Sequence, residues 1–170
     1  EARQAAEVLG GPVVVKAHSS HPALSLQVTA VIRAELEQAG LNPDILAVVY
    51  GRDAGKMLVQ HPLIQAVGFT GSETGGRTLM DLAANRPSPI PVYAEMGSLN
   101  PLIVSPGMAD NIEELAAGIS GSLLLGHGQF CTKPGLLFIP YGPAGDRLVE
   151  ALSHAIAAAS PAYMLSLGIR

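Results

Sequence analysis

Short apolar runs alternate with longer stretches of helical spacing along most of this chain. The runs at 13–15, 45–50, 65–69, 92–96, 102–104 and 136–139 are rich in Val, Ile, Leu and Phe, and they read as strands. Between them the apolar residues recur at helical intervals. A helix is predicted over 23–38, with Leu24, Val28, Val31 or Ile32, and Leu36 on one face. His18-Ser19-Ser20-His21-Pro22 supplies its cap and first-turn proline, and Gly40 stops it. Gly51-Arg52-Asp53 opens a short helix over 54–60, which His61-Pro62 ends. The stretch 70–76 reads as a loop entering a helix over 77–84, and 85–91 is a proline-rich connection. Asp110 is placed as the cap of a small-residue helix running from 112 to about 125. Pro143 begins a last amphipathic helix to about 160. Residues 1–9 read as the end of a helix closed by Gly10-Gly11.

Strands alternating with helices call for an α/β fold, with a parallel sheet covered on both faces. A Gly/Ser/Asn/Pro turn near 97–101 separates two strands and marks the best internal boundary. No repeat or low-complexity segment is visible.

The bulk numbers exclude several classes. With 48% apolar residues the chain can bury a core, but only 4% are aromatic, so Ala, Val, Leu and Ile must fill it. Net charge is −4 without a Lys/Arg cluster, which argues against nucleic acid and against a polybasic membrane patch. No apolar run spans a bilayer; the best, 119–125, is broken by Ser and Gly. One cysteine makes no intrachain disulfide, which fits a reducing, cytoplasmic setting. The five histidines show no metal-ligand spacing, so no metal is expected. The chain opens at Glu1 and both ends read as mid-protein, so a longer parent is expected.

Several segments carry candidate chemistry, each with a plainer alternative. Phe69-Thr70-Gly71-Ser72 ends a strand and precedes a helix, the edge where open α/β sheets bind ligands. Helix-start amides and the Ser72 hydroxyl there could hold phosphate, or Ser72 could simply cap the helix. Lys16 ends the first strand, with Ser19 three residues on. The pair suits a ribose or 2′-phosphate, or it is a solvated lysine beside a cap serine. Gly51 and Gly55 would let the backbone approach a flat ring, or merely shape a turn. Glu95 follows a strand-like run. Burial there would raise its pKa and suit a general base; the alternative is an exposed or ion-paired edge residue.

Cys131 is the single thiol, in Gly126-His127-Gly128-Gln129-Phe130-Cys131-Thr132-Lys133-Pro134. A lone cysteine is most often a small buried hydrophobe. The glycine-rich setting instead suits a nucleophile whose own amide donates to an oxyanion. His127 raises a thiol-protease reading, but no Asn or Asp orienter accompanies it.

Lys16, Phe69–Ser72, Glu95 and Cys131, in this order, resemble the aldehyde dehydrogenase superfamily over nearly the whole chain, to about residue 160. Ala94-Glu95-Met96-Gly97 is similar to its glutamate signature, and Gly128-Gln129-Phe130-Cys131 to its cysteine signature. Ser98 stands where many members have a second glycine, and Lys133 where a smaller residue is usual. Met96-Gly97-Ser98-Leu99-Asn100-Pro101 and Phe130-Cys131-Thr132 look closest to the 2,5-dioxovalerate (α-ketoglutarate semialdehyde) dehydrogenase branch.

The resemblance implies a Rossmann-like cofactor domain in residues 1–97 and the start of the α/β catalytic domain in 98–170. It implies Cys131 as nucleophile and Glu95 as the base that activates the deacylating water. Lys16, Ser19, Gly51, Phe69, Gly71, Ser72 and Thr74 would lie along the cofactor. Members commonly carry a glutamate at the position of Ser19, where it repels a 2′-phosphate; serine points to NADP over NAD. The implied substrate is a small aldehyde such as 2,5-dioxopentanoate, and the full-length protein would be a homo-oligomer. A family asparagine of the oxyanion site is expected before Glu1, and a nicotinamide-ribose glutamate after Arg170. The chain alone is therefore expected not to turn over. The competing expectation is a non-catalytic nucleotide-binding or assembly fragment with a structural cysteine.

Overall fold

The computed structural model describes residues 10–108 and 111–169. The helix end expected over 1–9 and the Asp110 cap lie outside the described residues. By internal contacts the chain divides into two compact units, Glu1–Met96 and Gly97–Arg170.

The first unit carries β1 (Val13–Lys16), α1 (Pro22–Gln38), β2 (Leu46–Val49), α2 (Arg52–Gln60), β3 (Val67–Thr70), α3 (Glu73–Ala84) and β4 (Val92–Glu95). Its strands form two parallel pairs, β1 with β2 and β3 with β4. Lys16 is opposite Val49 and Thr70 is opposite Glu95, so each pair ends in register. The parallel pairing agrees with the sequence pattern. The cover on both faces does not: Tyr93 is 67% exposed, because Val92 and Ala94 face in while Tyr93 and Glu95 face out.

The face of α1 differs from expectation. Leu24, Val28 and Val31 are exposed, while Ser25, Thr29, Ile32, Arg33 and Leu36 are half-buried. Apolar residues lie on both sides of this helix, so periodicity alone does not choose. The choice is made by Arg33, whose Nη1 donates to the carbonyls of Pro43 (2.9 Å) and Leu46 (2.7 Å) and whose Nη2 donates to Asp44 (2.7 Å). Gly40 ends the helix as read: its φ is +72°, and the Leu41 N–H reaches back to the Leu36 carbonyl at 2.8 Å.

Arg86 does similar work at the other end of the unit. Its guanidinium donates to the carbonyls of Val59 (3.0 Å) and Ile64 (2.9 Å). Val59 lies in the last turn of α2, where carbonyls lack a helical partner. Val59 itself is 1% exposed and, with Ala17, Leu46 and Ala83, forms the small buried set of this unit.

The second unit carries β5 (Pro101–Ile103), α4 (Ile112–Leu124), β6 (Leu136–Phe138) and α5 (Pro143–Ala157). β5 and β6 pair in parallel, Pro101 opposite Leu136. Val104, Ile112, Ala116, Ile119 and Leu148 form a contiguous core between the two helices and this strand pair. Buried Ser120 in α4 is satisfied by donating to the Ala117 carbonyl at 3.1 Å. No helix among the described residues is long and apolar enough to cross a membrane.

Candidate active site

The nucleotide-side candidates fall into two clusters of the first unit. At the C-terminal end of β1, Lys16 is half-buried, and its stem lies 3.5 Å from where a Cβ at Gly55 would stand. Gly51 caps α2 with φ +95°, a conformation that favours glycine, and nothing lies within 4 Å of its missing side chain. Ser19 is exposed.

The second cluster sits at the C-terminal ends of β3 and β4. α3 begins at Glu73, one turn earlier than the predicted 77, because Ser72 caps it: the Ser72 Oγ accepts from the Gly75 N–H at 3.2 Å. The Phe69 ring lies against the start of this helix. A Cβ on Gly71 would come within 2.6 Å of the ring, and one on Gly75 within 3.0 Å. The glycines that read as loop residues are thus the floor under an aromatic ring. The exposed Gly71, Ser72 and Thr74 surround the amides of the helix start.

Glu95 is exposed, and the edge-residue alternative describes its position. Its carbonyl accepts the Gly71 N–H at 3.0 Å, which joins the glutamate backbone to the Phe69–Ser72 loop.

Cys131 belongs to the second unit and is exposed. The plainer alternative of a small buried hydrophobe does not describe it. The segment before it turns left-handed through three residues: Gly126 (φ +57°), His127 (φ +59°) and Gly128 (φ +75°). The Phe130 ring packs where a Gly126 side chain would be, at 2.5 Å from a Cβ built there. Gln129 braces the turn, since its Nε2 donates to the Gly126 carbonyl at 2.9 Å and its Oε1 accepts the Leu165 N–H at 2.8 Å. His127 is exposed and makes no hydrogen bond to Cys131, which removes the protease constellation.

Cys131 lies just before β6, beside the N-terminal end of the β5–β6 pair. Lys16 and Glu95 lie at C-terminal strand ends. The residue that sequence reading left without a role is Asn100. Its Nδ2 donates to the carbonyls of Cys131 (2.6 Å) and Lys133 (2.9 Å). The available signal was an Asn-Pro turn beside the glutamate signature.

The described residues contain no group of three His, Cys, Asp or Glu side chains that could hold a metal ion. An open hollow of about 390 Å³ along α1, lined in part by Thr29, Arg33 and Pro43, contains none of the candidate residues.

Comparison with known proteins decides the lineage of these elements. The model of the aldehyde dehydrogenase family matches residues 3–161. The chain belongs to the aldehyde dehydrogenase family. It is 44% identical over 163 residues to alpha-ketoglutaric semialdehyde dehydrogenase 2 of Azospirillum brasilense, covering 94% of this chain and 31% of that protein. It is likewise 44% identical over 165 residues to the alpha-ketoglutaric semialdehyde dehydrogenase of Acinetobacter baylyi, covering 96% and 31%. The chain thus spans about a third of these aldehyde dehydrogenases. Among solved structures, 3,6-anhydro-L-galactose dehydrogenase in complex with NAP superposes with a TM-score of 0.72 at 28% identity, over 88% of this chain and 30% of that one. Bradyrhizobium japonicum proline utilization A gives 0.77 at 31%, over 89% and 15%. These neighbours share the α/β fold with short parallel strands.

Proposed function

We propose that this chain is the cofactor-binding half and the first part of the catalytic half of a semialdehyde dehydrogenase. Its reaction is oxidation of a small semialdehyde, such as 2,5-dioxopentanoate, to the acid. The observation that carries this reading is the 44% identity to two alpha-ketoglutaric semialdehyde dehydrogenases over a span that includes both Glu95 and Cys131. Residues 1–97 form the dinucleotide-binding part and 98–170 the beginning of the cysteine-bearing part.

The residues present fit a dinucleotide. A lysine at a strand end, a serine hydroxyl and the first amides of α3, ahead of the capped Gly75 N–H, are donors for anionic oxygens. The open backbone at Gly51 leaves room for close approach, and the Phe69 ring lies against the start of α3 as an apolar surface. In this proposal Lys16 and Ser19 hold the adenosine end, with Gly51 beside them. Phe69, Gly71, Ser72 and Thr74 lie along the rest. Ser19 carries no charge, which leaves space for a 2′-phosphate and makes NADP the preferred nucleotide over NAD.

The Cys131 thiolate adds to the aldehyde carbon, forming the C–S bond and placing charge on the former carbonyl oxygen. The Cys131 N–H donates to that oxygen. When bound, NADP supplies the acceptor for the hydride that leaves the carbon. A thioester then remains on Cys131. Glu95 takes a proton from water, whose oxygen attacks the thioester carbon; the C–S bond breaks and the acid departs. The full-length protein is proposed to be a cytoplasmic homo-oligomer, and the chain by itself not to turn over.

The test is NADPH formation from the semialdehyde by the full-length protein. Wild type is expected to produce it and Cys131→Ser to produce none. Undiminished turnover by Cys131→Ser would refute the reading.

A further inference from the structure

We propose that Asn100 is a positioning residue that sets the backbone orientation of the nucleophile. This rests on the reading of Cys131 as nucleophile. Asn100 has φ +43°, an unfavourable region for a residue with a side chain, and it precedes Pro101, which restricts it further. Such a conformation persists where its surroundings over-determine it. Here they do. The Asn100 N–H donates to the Ser98 Oγ at 3.2 Å, and the Leu99 carbonyl accepts the Gly135 N–H at 3.1 Å. Gly135 has no room for a side chain, since a Cβ there would stand 2.7 Å from the Leu99 oxygen. The Asn100 turn and the cysteine loop are thereby joined immediately before the paired strands β5 and β6.

The amide group of Asn100 has two N–H donors. Its nitrogen donates to the carbonyl of Cys131 and to the carbonyl of Lys133. Within the same turn the Lys133 N–H donates to the Phe130 carbonyl at 3.2 Å. Both peptide planes that flank the Cys131 Cα are therefore held. The plane carrying the Cys131 N–H is held through the Phe130 oxygen, and the following plane through the Cys131 oxygen. With both planes fixed, the direction of the Cys131 N–H and of its Cα–Cβ bond is set. Those two directions aim the oxyanion donor and the sulfur.

Two substitutions separate this role from mere turn formation. Asn100→Gly keeps the left-handed turn and removes the donors. Asn100→Asp keeps shape and turn preference but faces two carbonyl oxygens with carboxylate oxygen. In the full-length protein both variants are expected to exchange amide hydrogens faster over residues 126–135. Both are expected to show an aldehyde-dependent NADPH burst slowed by about 10²-fold, with NADP binding unchanged. An Asn100→Gly protein with wild-type burst rate and wild-type exchange over 126–135 would overturn the inference. The same experiment carries Cys131→Ser as a separate arm. If that variant keeps aldehyde oxidation, the functional reading falls. If it is inactive while Asn100→Gly is normal, only the role of Asn100 falls.

Discussion

The main-chain N–H of Gly71 donates to the carbonyl of Glu95 at 3.0 Å. This bond extends the β3–β4 ladder one residue past the Thr70–Glu95 pair. It fastens the turn that leads into α3 to the backbone of the proposed base. The Phe69–Ser72 loop, proposed to lie along the cofactor, and the Glu95 backbone thus share one strand end.

Replacing the Glu95 carboxylate by an amide tests its chemical role apart from its backbone role. Glu95→Gln should leave the ladder intact and slow thioester hydrolysis by about 10²–10⁴-fold. Pre-steady-state kinetics of the full-length protein should retain an NADPH burst and lose most of the steady-state rate. A lost burst with normal steady-state turnover would contradict the assignment.

Ser19→Glu tests the nucleotide preference. A carboxylate beside a 2′-phosphate repels it by about 1 kcal/mol or more at close range, so NADP affinity should fall by about tenfold. Affinity for NAD should change less. Titration of both nucleotides, followed by fluorescence or calorimetry, reads the ratio directly.

Gly145→Ala reverses the ordinary expectation for a helix. Alanine in a helix interior is normally favoured over glycine by about 1 kcal/mol. In α5, however, a Cβ at Gly145 would collide with the Pro140 carbonyl oxygen, which is backbone and has nowhere to move. A loss of about 1–3 kcal/mol is expected, seen as a lower melting temperature. Leu148→Ala, at a residue 2% exposed in the same helix, should cost about 2–5 kcal/mol through its cavity.

Arg86→Met should destabilise the first unit without touching any candidate site residue. It leaves the carbonyls of Val59 and Ile64 without the donors they now have, at a cost of about 1–3 kcal/mol. Urea denaturation should show a lower midpoint, with NADP affinity retained under native conditions.

The strands were legible because their β-branched and aliphatic runs are short and bounded by Gly, Pro and polar residues. The alternation Val92-Tyr93-Ala94-Glu95 already contained the outward position of Glu95, which a burial argument overlooked. The inward face of α1 was not legible, because apolar residues occur on both of its sides and three acceptors of Arg33, two carbonyls and a carboxylate, decide between them. The early start of α3 was hidden by Gly71, Gly75 and Gly76, which read as loop residues until the Phe69 ring and the Met96 side chain occupy the space above them. Cys131 and Glu95 stand out in the sequence by residue type and local setting. Asn100 does not, since the Asn-Pro turn signals only a turn and its acceptors lie 31 and 33 residues away.

The most direct test of covalent chemistry at Cys131 is mass analysis of the acid-quenched Glu95→Gln full-length protein after mixing with NADP and the semialdehyde. A thioester adduct confined to the peptide containing Cys131 is the predicted result. NADPH formation with an unmodified Cys131 peptide at every time point would contradict it.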